Sequence, residues 1–216
     1  MANKYKAIIF DADGTLTITN SWNILTEALG ASENQHQKIY LARKSGAISL
    51  NQARKVLISL WNNTGNANEK FMRQVFKKTK LRQGAKQTVD YLNKKGYLTC
   101  LITGSNNLFA QEVAHLIGIQ YYYSNATFKF SPNGHLENYE YELNQGFKKL
   151  EQLNKFCIKN NIKITKCAVV GDGANDIEMM KAAGLGIAML TEELDQEIEK
   201  YADYKISKLL ELKRLL

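Results

Sequence analysis

The chain has 216 residues, 44% hydrophobic and 23% charged, with 29 lysines and arginines against 21 acids and a formal net charge of +8. That length and apolar content suit one domain with an insertion, or two small domains, and exclude a disordered chain. No apolar run approaches the roughly 18 residues of a membrane span, and only four apolar residues separate Lys6 from Asp11, so neither a membrane anchor nor a signal peptide is expected. The default compartment is the cytoplasm. Cys100, Cys157 and Cys167 form no CxxC pair and read as reduced, buried thiols. The cations are dispersed, in small groups such as Lys77, Lys78 and Lys80, which reads as a solvated basic surface and argues against a nucleic-acid partner.

In chain order, Lys6 to Phe10 is a short apolar run stopped by Asp11 and Gly14, the pattern of a buried strand ending in a tight turn. From Ser21 to about Lys80 the spacing becomes helical: Trp22, Leu25 and Leu29, then Ile39 with Arg43, then Val56 with Leu60, punctuated by Gly30, Gly46 and the polar stretch 62–68. A helix after Gly84 stops at Gly96, and Tyr97 to Ile102 is a strand ending at Thr103-Gly104-Ser105. A helix from about Asn107 to Ile117 follows. Tyr121–Asn125 and Thr127–Phe130, with the turn Ser131-Pro132-Asn133-Gly134, suggest a small hairpin, and a helix covers Asn144 to Lys159. Cys167 to Val170 is a strand ending in Gly171-Asp172-Gly173, followed by a helix over Asn175 to Ala182 and a strand over Gly186 to Ala188. Strands alternating with helices predict an α/β fold with a parallel sheet covered on both faces.

Three of these strands end in polar clusters: Asp11/Asp13/Thr15, Thr103/Ser105 and Asp172/Asn175/Asp176. Ligands of open α/β sheets bind outside the carboxyl ends of the strands, so the three clusters are expected to converge. Asp11-Ala12-Asp13-Gly14-Thr15 directly follows a strand, and Asp172 and Asp176 sit four apart at a strand end and helix start, where both can face one site. Ordinary turn chemistry explains one such Asp more readily than all four.

The DxDGT strand end, Thr103-Gly104-Ser105, a lysine upstream of the last cluster and Gly171-Asp172-Gly173-Ala174-Asn175-Asp176 together resemble the four motifs of the haloacid dehalogenase superfamily, nearest its phosphoserine phosphatase-like branch. The resemblance implies a Rossmann-like parallel-sheet core, over residues 1–16 and 81–216, with a small all-helical cap, 17–80, inserted after the first strand. It implies a Mg²⁺-dependent phosphatase acting on a small phosphorylated metabolite. Asp11 would be the nucleophile, forming an aspartyl-phosphate, and Asp13 the general acid/base. Mg²⁺ would be held by Asp11, the backbone carbonyl of Asp13, and Asp172, with waters, some steadied by Asp176. Thr103, Gly104 and Ser105, with Asn175, would bind phosphate or substrate. Lys149 lies 23 residues before Asp172, the spacing that best matches the branch, and is preferred over its neighbour Lys148.

Elementary electrostatics agrees with that assignment. A carboxylate approaching a dianionic phosphate meets repulsion of about 8 kcal/mol at 4 Å and an effective dielectric near 20, so cations must cancel it. In the cap the sequence departs from the branch. The position nine residues after the nucleophile, a substrate-binding glutamate in phosphoserine phosphatase, is Asn20 here. The branch's cap arginine has counterparts in Arg54 or Lys55, of which Arg54 is carried forward as substrate-binding. Trp22, Trp61 and Arg43 could also line a pocket, although tryptophans at helical spacing are more often core. His36, His115 and His135 lack the partners of a triad or metal site. Alternatives left open are phosphoserine as the specific substrate, phosphoryl transfer to an acceptor other than water, and a non-catalytic protein that is either a decayed phosphatase or a nucleic-acid binder.

Overall fold

The computed structural model describes residues 4–191 and 196–216. Strand β1 (Ala7–Phe10) is followed by four helices, α1 (Ser21–Ala28), α2 (Glu33–Lys44), α3 (Leu50–Asn62) and α4 (Glu69–Phe76). Then come α5 (Ala85–Lys94), β2 (Leu98–Asn106), α6 (Asn107–Ile117), β3 (Tyr121–Phe130) and β4 (Leu136–Glu140). The remainder is α7 (Gln145–Lys159), β5 (Cys167–Gly171), α8 (Ile177–Ala182), β6 (Leu185–Met189) and β7 (Tyr204–Ile206).

Among the described residues the strands form one sheet in the order β4-β3-β2-β1-β5-β6-β7, parallel throughout except for the antiparallel β3–β4 pair. Alternate side chains of β1 point to opposite faces: Ile8 and Phe10 enter one apolar core, Ala7 and Ile9 the other. Burial on both faces is why this strand is continuously apolar rather than alternating. The three cysteines are free and buried, with Cys157 and Cys167 sulfurs 3.5 Å apart. No helix among the described residues is long and apolar enough to cross a membrane.

The first three helices after β1 each begin on a polar cap. Ser32 and Ser49 form capping boxes with Gln35 and Gln52, and Asn20 caps α1 by accepting from the amides of Trp22 and Asn23. Helix α2 buries none of its residues, whereas α3 buries Ala53, Leu57 and Trp61. The chain leaves and re-enters the sheet-based part side by side: Arg82 N donates to Leu16 O at 2.8 Å and Ile18 N to Lys80 O at 3.2 Å. These helices are not a separate body. Trp22 stacks on Trp61 at 6.1 Å, and both rings meet Phe128 of β3 and Tyr139 of β4 at 5.8–6.5 Å.

The strands run differently from expectation in three places. Strand β2 continues through Thr103, Gly104 and Ser105 to Asn106, because β3 pairs alongside that stretch, with a register shift between Thr103 and Asn106. The expected hairpin exists, but its first arm is one continuous strand, β3, parallel to β2 at its start and antiparallel to β4 at its end. Strands β4 and β7 are additional to the expected ones: β4 pairs with β3 and buries Leu136 and Tyr139, and β7 pairs with β6 and buries Ile206.

Candidate active site

Asp11 immediately follows β1, Asp172 follows β5, and Asp176 ends the short turn that leads into α8. Because β1 and β5 pair in register, Phe10 opposite Val170, the two strand ends deliver their carboxylates to one point. Asp11, Asp172 and Asp176 each place an oxygen within 4.8 Å of the others, and all three are buried. Glycines allow three close approaches at the site, one of them at Gly171, where a Cβ would lie 2.3 Å from Asp176 Oδ2. Gly14 has φ +81, and a Cβ there would lie 2.0 Å from Asp172 Oδ2. A Cβ on Gly104 would lie 2.3 Å from Gln145 Oε1.

Lys149 enters from α7 with its side chain 0% exposed. Its Nζ lies 2.9 Å from Asp11 Oδ1 and donates to Asp176 Oδ1 at 2.8 Å and Asn175 Oδ1 at 3.1 Å. The contact with Asp11 lies off hydrogen-bond geometry, so that carboxylate oxygen has no donor aimed at it. Three carboxylates and one ammonium leave two negative charges in a buried cluster built only of oxygen donors around its open side. That charge and donor chemistry fit a hard divalent cation.

Burial pushes Asp11 up to about 7, opposed by Lys149 and reinforced by Asp176 and Asp172. Asp172 is pushed up to about 6 by burial, opposed by a 2.6 Å hydrogen bond from Thr15 Oγ1. Burial alone would pull Lys149 down, but Asp11 and Asp176 outweigh it and hold the ammonium above its ordinary value.

Asp13, two residues beyond Asp11, is held apart from this cluster. Its carboxylate accepts from Ser21 N at 2.9 Å and Ser21 Oγ at 2.5 Å, yet burial still raises it to about 7. Since the Ser21 proton is directed at Asp13, the 2.5 Å contact between Ser21 and Ser105 Oγ makes Ser105 the donor. Asn106 Nδ2 in turn donates to Ser105 at 3.3 Å. A buried relay therefore ties Asp13 to the start of α1 and the end of β2.

Of the residues expected at the site, Asp11, Asp13, Thr103, Gly104, Ser105, Asp172 and Asn175 line one cavity of about 690 Å³, with Asp176 and Lys149 buried against its floor. Arg54 does not join them. Its guanidinium donates to Tyr139 O at 2.7 Å and to Asn51, and it lines a separate groove on the far side of α3. Helix α3 turns Ala53 and Leu57 toward the cavity, so its neighbour Arg54 points away, and Arg43 of α2 lines the cavity instead. Trp22 lines the cavity while Trp61 is fully buried behind it.

Several residues of the site carried no recognisable signal. Gln145 bridges Asn175 Nδ2, at 3.0 Å, to the hydroxyl of Tyr141, extending the network of Lys149 to the cavity wall. Arg82 donates to the carbonyls of Thr15 and Gly14 and so clamps the turn after β1. Tyr139 in β4 and Tyr141 just beyond it also reach the cavity, from a stretch with no hydrophobic pattern to mark it.

Comparison with known proteins places this arrangement. The family model described as haloacid dehalogenase-like hydrolase matches residues 5–184. The phosphoserine phosphatase of Methanocaldococcus jannaschii is 29% identical over 93% of this chain and 95% of its own length, and that of Lactococcus lactis 27% identical over 84% and 82%. A solved phospho-aspartyl intermediate analogue of phosphoserine phosphatase superposes with a TM-score of 0.74 at 25% identity, covering 99% of this chain and 100% of that one. A substrate-bound phosphoserine phosphatase, at 24% identity and TM-score 0.75, covers 100% of each and shares the fold. With most of its length matched and its strand-end carboxylates converging as described, the chain belongs to the haloacid dehalogenase-like hydrolase family, within its phosphoserine phosphatase-like branch, as a phosphoric monoester hydrolase.

Proposed function

We propose that this hydrolase is a cytoplasmic, Mg²⁺-dependent phosphatase that cleaves a small soluble phosphate ester through an aspartyl-phosphate on Asp11, beneath a helical cap spanning residues 17–80. The observation that carries the reading is the buried cluster of Asp11, Asp172 and Asp176 around Lys149, with Asp13 held separately beside it. Asp11, Asp172 and the backbone carbonyl of Asp13 would hold the cation, with Asp176 beside them. When bound, Mg²⁺ supplies the positive charge that lets a carboxylate and a phosphate dianion meet.

The rest of the chemistry belongs to the chain. Asp11 attacks phosphorus with its carboxylate, whose Oδ1 is enclosed and paired to Lys149, and Lys149 steadies the attacking group and the phosphoryl oxygens. Thr103, with the amide of Gly104, donates to the transferring group. Burial raises Asp13 to about 7, as it does Asp11; with a cation on the Asp11, Asp172 and Asp176 cluster, Asp11 stays ionised, while Asp13, outside that cluster, gives a proton to the leaving oxygen. It then takes a proton from the water that opens the aspartyl-phosphate. Ser21 fixes the direction in which that carboxyl points.

The test is phosphate release from a panel of sugar, amino-acid, nucleotide and amino-alcohol phosphates with Mg²⁺, beside Asp11→Asn as the blank. Release by the native chain and none by the variant is expected. Full turnover by Asp11→Asn would remove Asp11 as the nucleophile.

A further inference from the structure

The upper part of the cavity is built unlike its floor. Trp22 of α1, Tyr40 of α2, and Tyr139 and Tyr141 in and beside β4 face it, with Ile39 and Leu57 between them. A volume of about 690 Å³ is within the range of roughly 300–1,000 Å³ that encloses ligands much larger than a phosphorylated three-carbon unit. Aromatic walls of this kind gain most from a flat π-surface placed against them.

The wall also has a sign. Arg43 lines the cavity and has no carboxylate partner among the described residues; its guanidinium lies 5.2 Å from the Tyr40 ring, and its charge reaches both Tyr139 and Tyr141. Glu33, the acid on this wall among the described residues, already accepts from Asn23 Nδ2. Asn20, closer to the floor, commits its oxygen to capping α1. A cation is thus on offer to the ligand, and the wall's acid among the described residues, Glu33, already shares one oxygen with Asn23.

We propose that the preferred substrate is a phosphate ester whose leaving group carries a planar ring with an anionic substituent, the ring lying against Tyr40, Trp22, Tyr139 and Tyr141 and the anion meeting Arg43. This rests on the reading of the protein as a phosphatase and narrows it. A compact zwitterionic alcohol such as serine would leave the aromatic wall untouched.

Four esters with alkoxide leaving groups separate the two features without changing the chemistry at phosphorus: ethyl phosphate, benzyl phosphate, phosphoglycolate and 4-carboxybenzyl phosphate, with phosphoserine alongside. In the native enzyme with Mg²⁺, kcat/KM for 4-carboxybenzyl phosphate should exceed that for ethyl phosphate and for phosphoserine by about tenfold or more. Arg43→Gln should reduce the carboxybenzyl-to-benzyl ratio, and Tyr40→Ala, at a side chain 42% exposed and safe for folding, the benzyl-to-ethyl ratio. Equal or better turnover of phosphoserine, or ratios unmoved by both variants, would overturn this inference while leaving the phosphatase intact. Hydrolysis of none of the five esters, with phosphate released from another member of the wider panel, would overturn this inference alone; release from no ester of either set would overturn both.

Discussion

Replacing Asp11 by asparagine should abolish turnover and at the same time make the metal-free protein more stable. Burial lifts Asp11 from 3.8 to about 7, so at pH 8 the folded chain holds an ionised carboxylate that it would rather keep protonated. At about 1.4 kcal/mol per pK unit, that ionisation costs up to about 4 kcal/mol. Asparagine keeps the shape and an acceptor for Lys149 and removes the charge. Sharing of protons between the neighbouring carboxylates reduces the gain to about 2–4 kcal/mol, or roughly 5–12 °C in Tm for a chain of this size.

The sign fixes the pH window. A carboxyl raised in the folded state leaves the native protein most stable at or below its ordinary 3.8 and costs stability as pH climbs toward about 7. The advantage of Asp11→Asn must therefore grow from pH 4 to pH 7 and level off above. Differential scanning fluorimetry in EDTA from pH 5 to 8.5 measures it, with phosphate release from the same preparations. Added Mg²⁺ should stabilise the native chain more than the variant and close the gap. A variant less stable than the native chain at pH 8 in EDTA would show that the carboxylate cluster is not electrostatically frustrated and would refute the reasoning from burial.

Lys149→Met removes the only ammonium touching Asp11 and Asp176 among the described residues and should cost about 3–5 kcal/mol at pH 8 in a urea titration, much less at pH 5, together with nearly all activity. Ser21→Ala deletes one hydrogen bond to Asp13, of about 1.5–3 kcal/mol; since that bond holds the carboxyl down, the pH–rate profile should move toward higher pH, with Ser21→Thr restoring it. Gly14→Ala places a methyl group on Asp172 and should weaken Mg²⁺ activation at least tenfold, read as the Mg²⁺ concentration giving half-maximal rate. Arg54→Ala should change kcat/KM for any accepted ester by less than about twofold, since its guanidinium faces Tyr139 O and Asn51 outside the cavity.

The floor of the site was legible because its residues sit where buried parallel strands end, and such ends are marked by a switch from apolar runs to Asp, Thr and Gly. Register in the sheet then does the converging, so Asp11 and Asp172 meet although they lie 161 positions apart in the chain. Lys149 was readable only through the resemblance, from the family's spacing between this lysine and the last acidic motif. The walls were legible only in part: the Ile39–Arg43 spacing marks the face of α2 that lines the cavity, and Trp22 and Arg43 do line it, but α2 buries no residue that would fix its orientation from sequence. Arg54 was expected at the substrate and turns away because the apolar face of α3, Ala53 and Leu57, takes the inward position. Tyr139 lies in, and Tyr141 just beyond, a strand defined by pairing rather than by pattern, and both reach the site only through long-range packing.

The aromatic contact between the helices and the β3–β4 hairpin also bears on how a substrate enters. A lid hinged where the chain crosses out and back, beside Leu16 and Arg82, would have to tear Trp22 and Trp61 from Phe128 and Tyr139 with every swing. Those rings are largely dry, and separating them at each turnover would expose several large apolar faces to water, at about 25 cal/mol per Å². The hairpin must therefore travel with the helices, or the lid stays shut and the ester comes in past the rim formed by Tyr40 and Ile18, exposed apolar side chains lining the mouth. Cross-linking α3 to β4 would then leave turnover intact, whereas cross-linking across the mouth would stop it.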